Sequence, residues 1–343
     1  MTTDIAIVLG TRPEIIKLAP VIRECERRDV EFSVIHTGQH YSDSLDSVFF
    51  EKLDLPTPDY NLEVGSKSHG EQTGEMMAGI EEILLDEDPE AVLVQGDTNS
   101  VLAGALAADK LEMDVGHIEA GLRSFDREMP EESNRRVTDH VSDYLFAPTE
   151  TAADFLRAEG IDDDRIFVTG NTVVDAVQEH IDVAQRKSSV LSDLDLASDD
   201  YVLMTAHRAE NVDDATRFQR LLRGASRVGN EFGVDVIYPI HPRAEAKLDE
   251  FGLEVPSEIR LVPPQDYLDF LVLQSDARLI LTNSGGIQEE ASILGVPCVT
   301  MRDNTERPET VEVGANQLSG IDSADILSAA QEMDASEVTW QTP

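Results

Sequence analysis

Short apolar runs alternate with stretches of helical spacing over nearly the whole chain, and that alternation predicts an α/β fold. In the first half, Ile5–Leu9, Glu31–Ile35, Ala91–Val94, Asp114–Ile118, Tyr144–Ala147 and Arg165–Val168 read as strands. Their largely apolar character suits a parallel sheet buried on both faces. Helical spacing lies between them over Pro13–Arg28, Ser44–Leu53, Gly70–Leu85, Val101–Ala108, Met129 to about His140, and Glu150–Ala158. The second half repeats the alternation, with strands at Tyr201–Thr205, Val234–Ile240, Ile259–Val262, Leu279–Leu281 and Pro297–Met301. The polar, acidic stretch Ser188–Asp200 reads as a surface connection. Two successive halves of this kind predict two doubly wound domains, 1–170 and 171–343, facing a central cleft.

The stretch Leu279–Pro308 carries the strongest binding signal. A short apolar strand runs into Thr282-Asn283-Ser284-Gly285-Gly286, and helical spacing follows from Ile287 until Gly295 stops it. Free backbone N–H groups and the positive end of the helix dipole meet there, an arrangement that suits a diphosphate. The glycines would let a ligand approach the backbone with no Cβ in the way. Glu290, one turn in, is placed to accept from a ribose diol, and Arg307 follows the next strand.

In the first half, charged residues gather where parallel strands end, the side on which open α/β sheets bind ligands. Arg12 and Lys17 follow the first strand. Asp97, Glu119 and Glu131 lie at strand ends or in the loops after them, so three carboxylates can converge. Asp97 equally suits a helix N-cap. Solvated loop acids are the bland alternative, against which Arg123 and Arg135 stand as side chains able to hold the carboxylates. His207 follows a strand of the second half, in the same loop layer as the glycine turn. The chain has no GxGxxG, no P-loop pattern and no GxSxG elbow, and no His/Cys/Asp grouping with metal-ligand spacing. No metal is expected.

Composition changes the picture in one respect. Of 343 residues, 68 are acidic and 27 basic, for a formal charge of −41, and only six of the basic residues are lysine. Regular strand and helix patterns argue against disorder, so the excess reads as an acidic, lysine-poor surface suited to concentrated salt. It speaks against nucleic-acid binding, which needs a basic footprint. Two cysteines, Cys25 and Cys298, give no disulfide framework. The N-terminus has no signal-peptide pattern, and no apolar run approaches the roughly 20 residues that span a bilayer. A soluble, cytoplasmic protein without membrane association is expected.

Taken together, Gly10-Thr11-Arg12-Pro13-Glu14, Gln95-Gly96-Asp97-Thr98, His117-Ile118-Glu119-Ala120-Gly121-Leu122-Arg123, Pro130-Glu131-Glu132-Ser133-Asn134-Arg135, Thr205-Ala206-His207-Arg208-Ala209-Glu210-Asn211 and Ser284-Gly285-Gly286-Ile287-Gln288-Glu289-Glu290 resemble the non-hydrolysing UDP-N-acetylglucosamine 2-epimerases. The motifs occur in family order over nearly the whole chain. The resemblance implies two Rossmann-like domains in the GT-B arrangement, the first carrying the catalytic carboxylates and the second holding UDP. It implies cofactor-free interconversion of UDP-GlcNAc and UDP-ManNAc through 2-acetamidoglucal, supplying sugar nucleotides for surface polysaccharide or glycoprotein glycans.

By motif, Asp97, Glu119, Glu131, Arg135 and His207 are the catalytic candidates. Arg12, Lys17, Gln265, Phe270, Ser284, Gly285, Gly286, Glu290 and Arg307 match the family's nucleotide-sugar contacts. A homodimer is implied by the family, and a halophilic archaeal source by the acidic surface. Members regulated by a second substrate molecule carry Arg after Gln-His and a basic residue before a later Gln. Here Tyr41 follows Gln39-His40 and Glu71 precedes Gln72, so that regulation is not implied. Relatives acting on UDP-2,3-diacetamido uronic acid sugars share this pattern and remain an alternative, as does a GT-B glycosyltransferase. Family members continue past the position of Pro343 into a last helix, which is expected to be missing here.

Overall fold

The computed structural model describes residues 3–39, 49–127, 129–305, 307–336 and 340. The chain divides into two compact units, Met1–Ala176 and Val177–Pro343, with the division inside the helix Thr172–Lys187.

The N-terminal unit is built on a seven-stranded sheet: β1 (Ile5–Leu9), β2 (Phe32–His36), β3 (Tyr60–Asn61), β4 (Ala91–Gln95), β5 (Asp114–Ile118), β6 (Tyr144–Ala147) and β7 (Ile166–Val168). Its strand order is β3-β2-β1-β4-β5-β6-β7, and the pairings are parallel. Ala6, Ile7, Val8 and Leu9 are wholly buried, as expected for a strand covered on both faces. The helix Asn99–Lys110 is rich in alanine and lies close on the sheet. A Cβ on Gly104 would sit 3.1 Å from methyl carbons of Val8 and Val94, so only glycine fits without displacing them.

The C-terminal unit has a six-stranded parallel sheet: β8 (Tyr201–Thr205), β9 (Asp235–Pro239), β10 (Ile259–Val262), β11 (Leu279–Thr282), β12 (Cys298–Thr300) and β13 (Asn316–Leu318). The order is β10-β9-β8-β11-β12-β13, which repeats the winding of the first unit. In each, the first strand pairs with the fourth, and the direction of winding reverses between them. Loops leaving those two strands therefore splay apart at the sheet's C-terminal edge, opening a crevice.

Most strands fall within a residue or two of their expected limits. The two-residue β3, the strand β13 and the long helices Thr172–Lys187 and Ser323–Ala335 were not foreseen. The stretch Ser188–Asp200 is more than a connection, because it contains a short helix, Val190–Asp193, whose Val190 is buried. The helix expected over Ser44–Leu53 lies partly outside the described residues, as do His40 and Tyr41. No helix among the described residues is long and apolar enough to cross a membrane.

Candidate active site

At the crevice of the N-terminal unit, β1 ends at Gly10 and Thr11 caps the helix Arg12–Arg27. A Cβ on Gly10 would stand 2.1 Å from both Ser100 Oγ and Thr37 Oγ1, so the turn requires glycine. Glu14, almost wholly buried, accepts from the Gly10 N–H at 2.6 Å and the Thr11 N–H at 2.9 Å. Its other oxygen accepts from the Thr98 hydroxyl, tying the first loop to the loop after β4. Burial pushes the Glu14 pKa up to about 7, against the pull of those donors, and Asp97 adds like-charge repulsion.

The loop after β4 carries Asp97 but is capped by Thr98, whose hydroxyl accepts from Val101 N. The N-cap role weighed for Asp97 thus falls to its neighbour, and the Asp97 carboxylate is left for another task. Arg135 donates to it at 2.5 Å, and Asn134 donates to the Asp97 carbonyl at 2.9 Å. Arg135 also reaches Glu132, so one helix, Pro130–Val141, orients both groups.

Glu119, at the end of β5, is buried with φ +67°, a left-handed conformation that costs a residue with a side chain. Lys17 holds its Oε1 at 2.6 Å and Gln95 donates to Oε2. The same Oε2 would lie 3.7 Å from a Cβ built on Gly96, so Glu119 sits directly behind the Asp97 loop.

Asp97 and Glu131 line a cavity of about 710 Å³, together with Arg12, Gln39, Lys67, Gln72, Asn99 and Asn134. The structure thus brings Arg12, Asp97 and Glu131 to one cavity, with Arg135 braced on Asp97, and Glu119 and Lys17 paired beneath. Arg123 behaves otherwise than expected. It pairs with buried Asp139 at 2.7 Å and with Glu159, not with the three candidate carboxylates.

Lys67, Asn99 and Asn134 were missed as site residues, and Gln72 was noticed only for its neighbour. Gln72 donates to the carbonyls of Gln39 and Gly65 and accepts from Asn99. Asn134 stood inside a recognised motif, and Asn99 two places after Asp97, but amides without charge left no signal in the pattern.

In the C-terminal unit, the helix at the glycines begins earlier than expected, at Gly285, with Ser284 as its N-cap. The glycines are its first two helical residues and not a bend, and neither has a positive φ. Gly286 is exposed, and a Cβ there would meet nothing within 4 Å beyond its neighbours and its own helix backbone, while the first-turn N–H groups have no partner within the helix.

Thr282 Oγ1 accepts from Ser284 N at 3.0 Å and pairs with Thr205 at 2.6 Å, joining the ends of β8 and β11. Gln288 donates to the Ser284 carbonyl, and its oxygen accepts from Thr305 and Asn316. This fastens the loop bearing Arg307 to the helix start. Arg307 lies 3.2 Å from Glu289, and Glu290 accepts from Gln274 at 2.6 Å.

His207 follows β8, its N–H 3.3 Å from Asn283 Oδ1 and its ring 6.3 Å from that of His241. Partial burial, then repulsion from His241 and Arg208, lowers its pKa although the residue reaches the surface. Gln265 donates to the Pro263 carbonyl, and Phe270 lies half-buried on the next helix, Tyr267–Ser275. Among the described residues no group of three or more His, Cys, Asp or Glu is disposed to hold a metal ion.

Comparison with known proteins bears on this arrangement. A family model described as UDP-N-acetylglucosamine 2-epimerase matches residues 23–342. The UDP-N-acetylglucosamine 2-epimerase of Methanocaldococcus jannaschii is 52% identical over 99% of this chain and 94% of its own length. A crystal structure of that organism's UDP-GlcNAc 2-epimerase, in complex with UDP-GlcNAc and UDP, superposes with a TM-score of 0.86 at 52% identity, covering 99% of this chain and 95% of that one. The UDP-2,3-diacetamido-2,3-dideoxy-D-glucuronate 2-epimerase of Pseudomonas aeruginosa is 42% identical over 94% of this chain and 90% of its own length. With a matching model and relatives of this likeness along nearly its full length, the chain belongs to the UDP-N-acetylglucosamine 2-epimerase family.

Proposed function

We propose that the protein interconverts UDP-GlcNAc and UDP-ManNAc without an added cofactor. A base takes the C2 proton while the C1–O bond breaks and UDP leaves, giving 2-acetamidoglucal. Protonation of C2 on the opposite face and re-addition of UDP to C1 complete the inversion. This chemistry needs fixed acid and base groups and a held leaving group. The observation that carries the reading is the pair of anchored carboxylates at adjacent strand ends, Asp97 held by Arg135 and Glu119 held by Lys17 and Gln95, with Glu131 across the same cavity.

The first turn of the helix Gly285–Leu294 takes the diphosphate in this reading, with Ser284, Gly285, Gly286 and Arg307 at the phosphates and Glu290 on the ribose. His207, Gln265, Phe270, Arg12 and Lys17 complete the substrate contacts. The protein acts in the cytoplasm as a homodimer and supplies sugar nucleotides for surface glycans.

A second substrate, a UDP-2,3-diacetamido uronic acid sugar, is favoured by the 42% identity to the enzyme of that name. Proton NMR of the protein with UDP-GlcNAc in D2O separates the readings. UDP-ManNAc deuterated at C2, with no lasting free UDP, is the expected result. Free ManNAc and UDP would mean hydrolysis, and an unchanged spectrum followed by turnover of the diacetamido sugar would shift the substrate.

The charge of −41 supports a protein adapted to concentrated salt. Activity and folding are expected to need roughly molar salt, which shortens the Debye length to about 3 Å and removes long-range self-repulsion. Full stability and activity in dilute buffer would refute this.

A further inference from the structure

The helix Pro130–Val141 does more than present Glu131 and Arg135. Two turns past Glu131, Asp139 points away from the cavity toward His117 on β5, and both side chains are wholly buried. His117 Nδ1 lies 2.6 Å from Asp139 Oδ1. On the other side of the ring, Nε2 lies 2.8 Å from the carbonyl oxygen of Gly96, the residue before Asp97.

A carbonyl oxygen only accepts. Asp139 is also an acceptor, taking the Gly121 N–H at 3.2 Å and the Arg123 guanidinium at 2.7 Å. Burial raises its pKa, but His117 and Arg123 outweigh that and hold it below the ordinary value. Because the Gly96 carbonyl can only accept, Nε2 is the donor in that bond, and Nδ1 ties the ring to Asp139. Arg123 stands between Asp139 and Glu159, and Arg136 reaches Glu159 as well, so Asp139 is held from two sides.

Gly96 is where such a brace is needed. Its φ of +87° is open to glycine, and no side chain of its own fixes its place. Two contacts with β5 do so instead, its N–H donating to the Ile118 carbonyl at 3.0 Å and its carbonyl accepting from His117. Arg135 fixes the Asp97 carboxylate and Asn134 the Asp97 carbonyl, and His117 holds the residue before them.

We propose that His117 is a positioning residue for Asp97: bridging Asp139 and the Gly96 carbonyl through its two ring nitrogens, it fastens that carbonyl to the helix Pro130–Val141 and so aims the Asp97 carboxylate. This rests on the epimerase reading, in which Asp97 meets the sugar. A misplacement of about 1 Å at such a group costs about a hundredfold in rate.

The test has two parts, both on the full chain. In the wild type, NMR of protein labelled with 15N-histidine should show a proton on His117 Nε2, the nitrogen that faces the Gly96 carbonyl; a bare Nε2 overturns the proposal. This measurement does not depend on turnover, so an inactive wild type would count against the epimerase reading alone. The second part compares His117→Gln, whose amide reaches the Gly96 carbonyl, with His117→Asn, whose shorter amide reaches only Asp139. The Gln variant should keep kcat within about tenfold of wild type and the Asn variant should lose about a hundredfold, with KM little changed in either. Equal losses at matched melting temperature, or an unimpaired Asn variant, would show that the hold on Gly96 does not matter.

Discussion

The two units solve opposite problems at equivalent places. Each opens a crevice between its first and fourth strands, β1 and β4 in one, β8 and β11 in the other. After β4 the chain places Asp97, capped off by Thr98 and braced by Arg135. After β11 it places Ser284, Gly285 and Gly286, braced by the neutral groups of Thr282, Gln288, Thr305 and Asn316. Asp97 and Glu119 at the first crevice are pinned by cations, Arg135 and Lys17, which fixes their direction. At the second, the helix begins with no carboxylate in its first turn, so its N–H groups and dipole favour an incoming anion. In the proposed reading the same winding serves proton transfer in one unit and phosphate binding in the other, and the difference lies in what braces the loops.

The sharpest way to break this comparison is to neutralise the carboxylates. Asp97→Asn, Glu119→Gln and Glu131→Gln should each lower kcat by about a hundred- to ten-thousand-fold, while UDP affinity by calorimetry stays near wild type. Loss of UDP binding in all three would mean that the two roles are not divided between the units.

A smaller effect concerns Glu14, whose brace is charged and buried. Its folded pKa of about 7 lies above the ordinary 4.5, so the folded state holds the proton more tightly. The stability this contributes is complete below about pH 4.5 and lost as pH rises through 7, on the order of 3 kcal/mol. Chemical denaturation from pH 4.5 to 8 should show that fall in the wild type and a flatter curve in Glu14→Gln. Parallel curves would remove Glu14 as its source.

The smallest effect separates two glycines. Gly10→Ala meets Ser100 and Thr37 and should cost about 1–3 kcal/mol in stability. Gly286→Val should leave the melting temperature unchanged and weaken UDP binding by about tenfold or more. A Gly286→Val protein that binds UDP normally would empty the proposed phosphate site.

Much of this was legible in the chain. Ile5–Leu9, Asp114–Ile118, Tyr144–Ala147, Tyr201–Thr205 and Ile259–Val262 appear as strands at the expected limits, and the buried central strands Ile5–Leu9 and Tyr201–Thr205 print most clearly as apolar runs. The edge strands β3 and β13 are two and three residues long and leave no such run. Strand ends also revealed the carboxylates, since a charged residue directly after an apolar run is conspicuous. What acts on them was harder to see. Lys17 meets Glu119 across 102 positions, and Arg123 turns to Asp139 and Glu159. Such pairings depend on which way a side chain leaves its loop, and spacing along the chain does not carry that. The helix start at Gly285 was misplaced for a related reason: glycine signals freedom of φ, and here it supplies the absence of a side chain.

The bond between Thr98 and Glu14 spans 84 positions of sequence. It cannot form until β1 has found β4, with β2, β3 and the helix His69–Glu87 in the intervening chain. Closing a loop of that length has to be completed before any contact across it offers a return, and folds dominated by such distant pairings assemble in milliseconds to seconds rather than microseconds. On the ribosome, the first crevice therefore has no floor until β4 has emerged and docked. A chain stalled or cleaved before that point exposes the apolar faces of β1 and β2 and has none of the three candidate carboxylates, Asp97, Glu119 and Glu131.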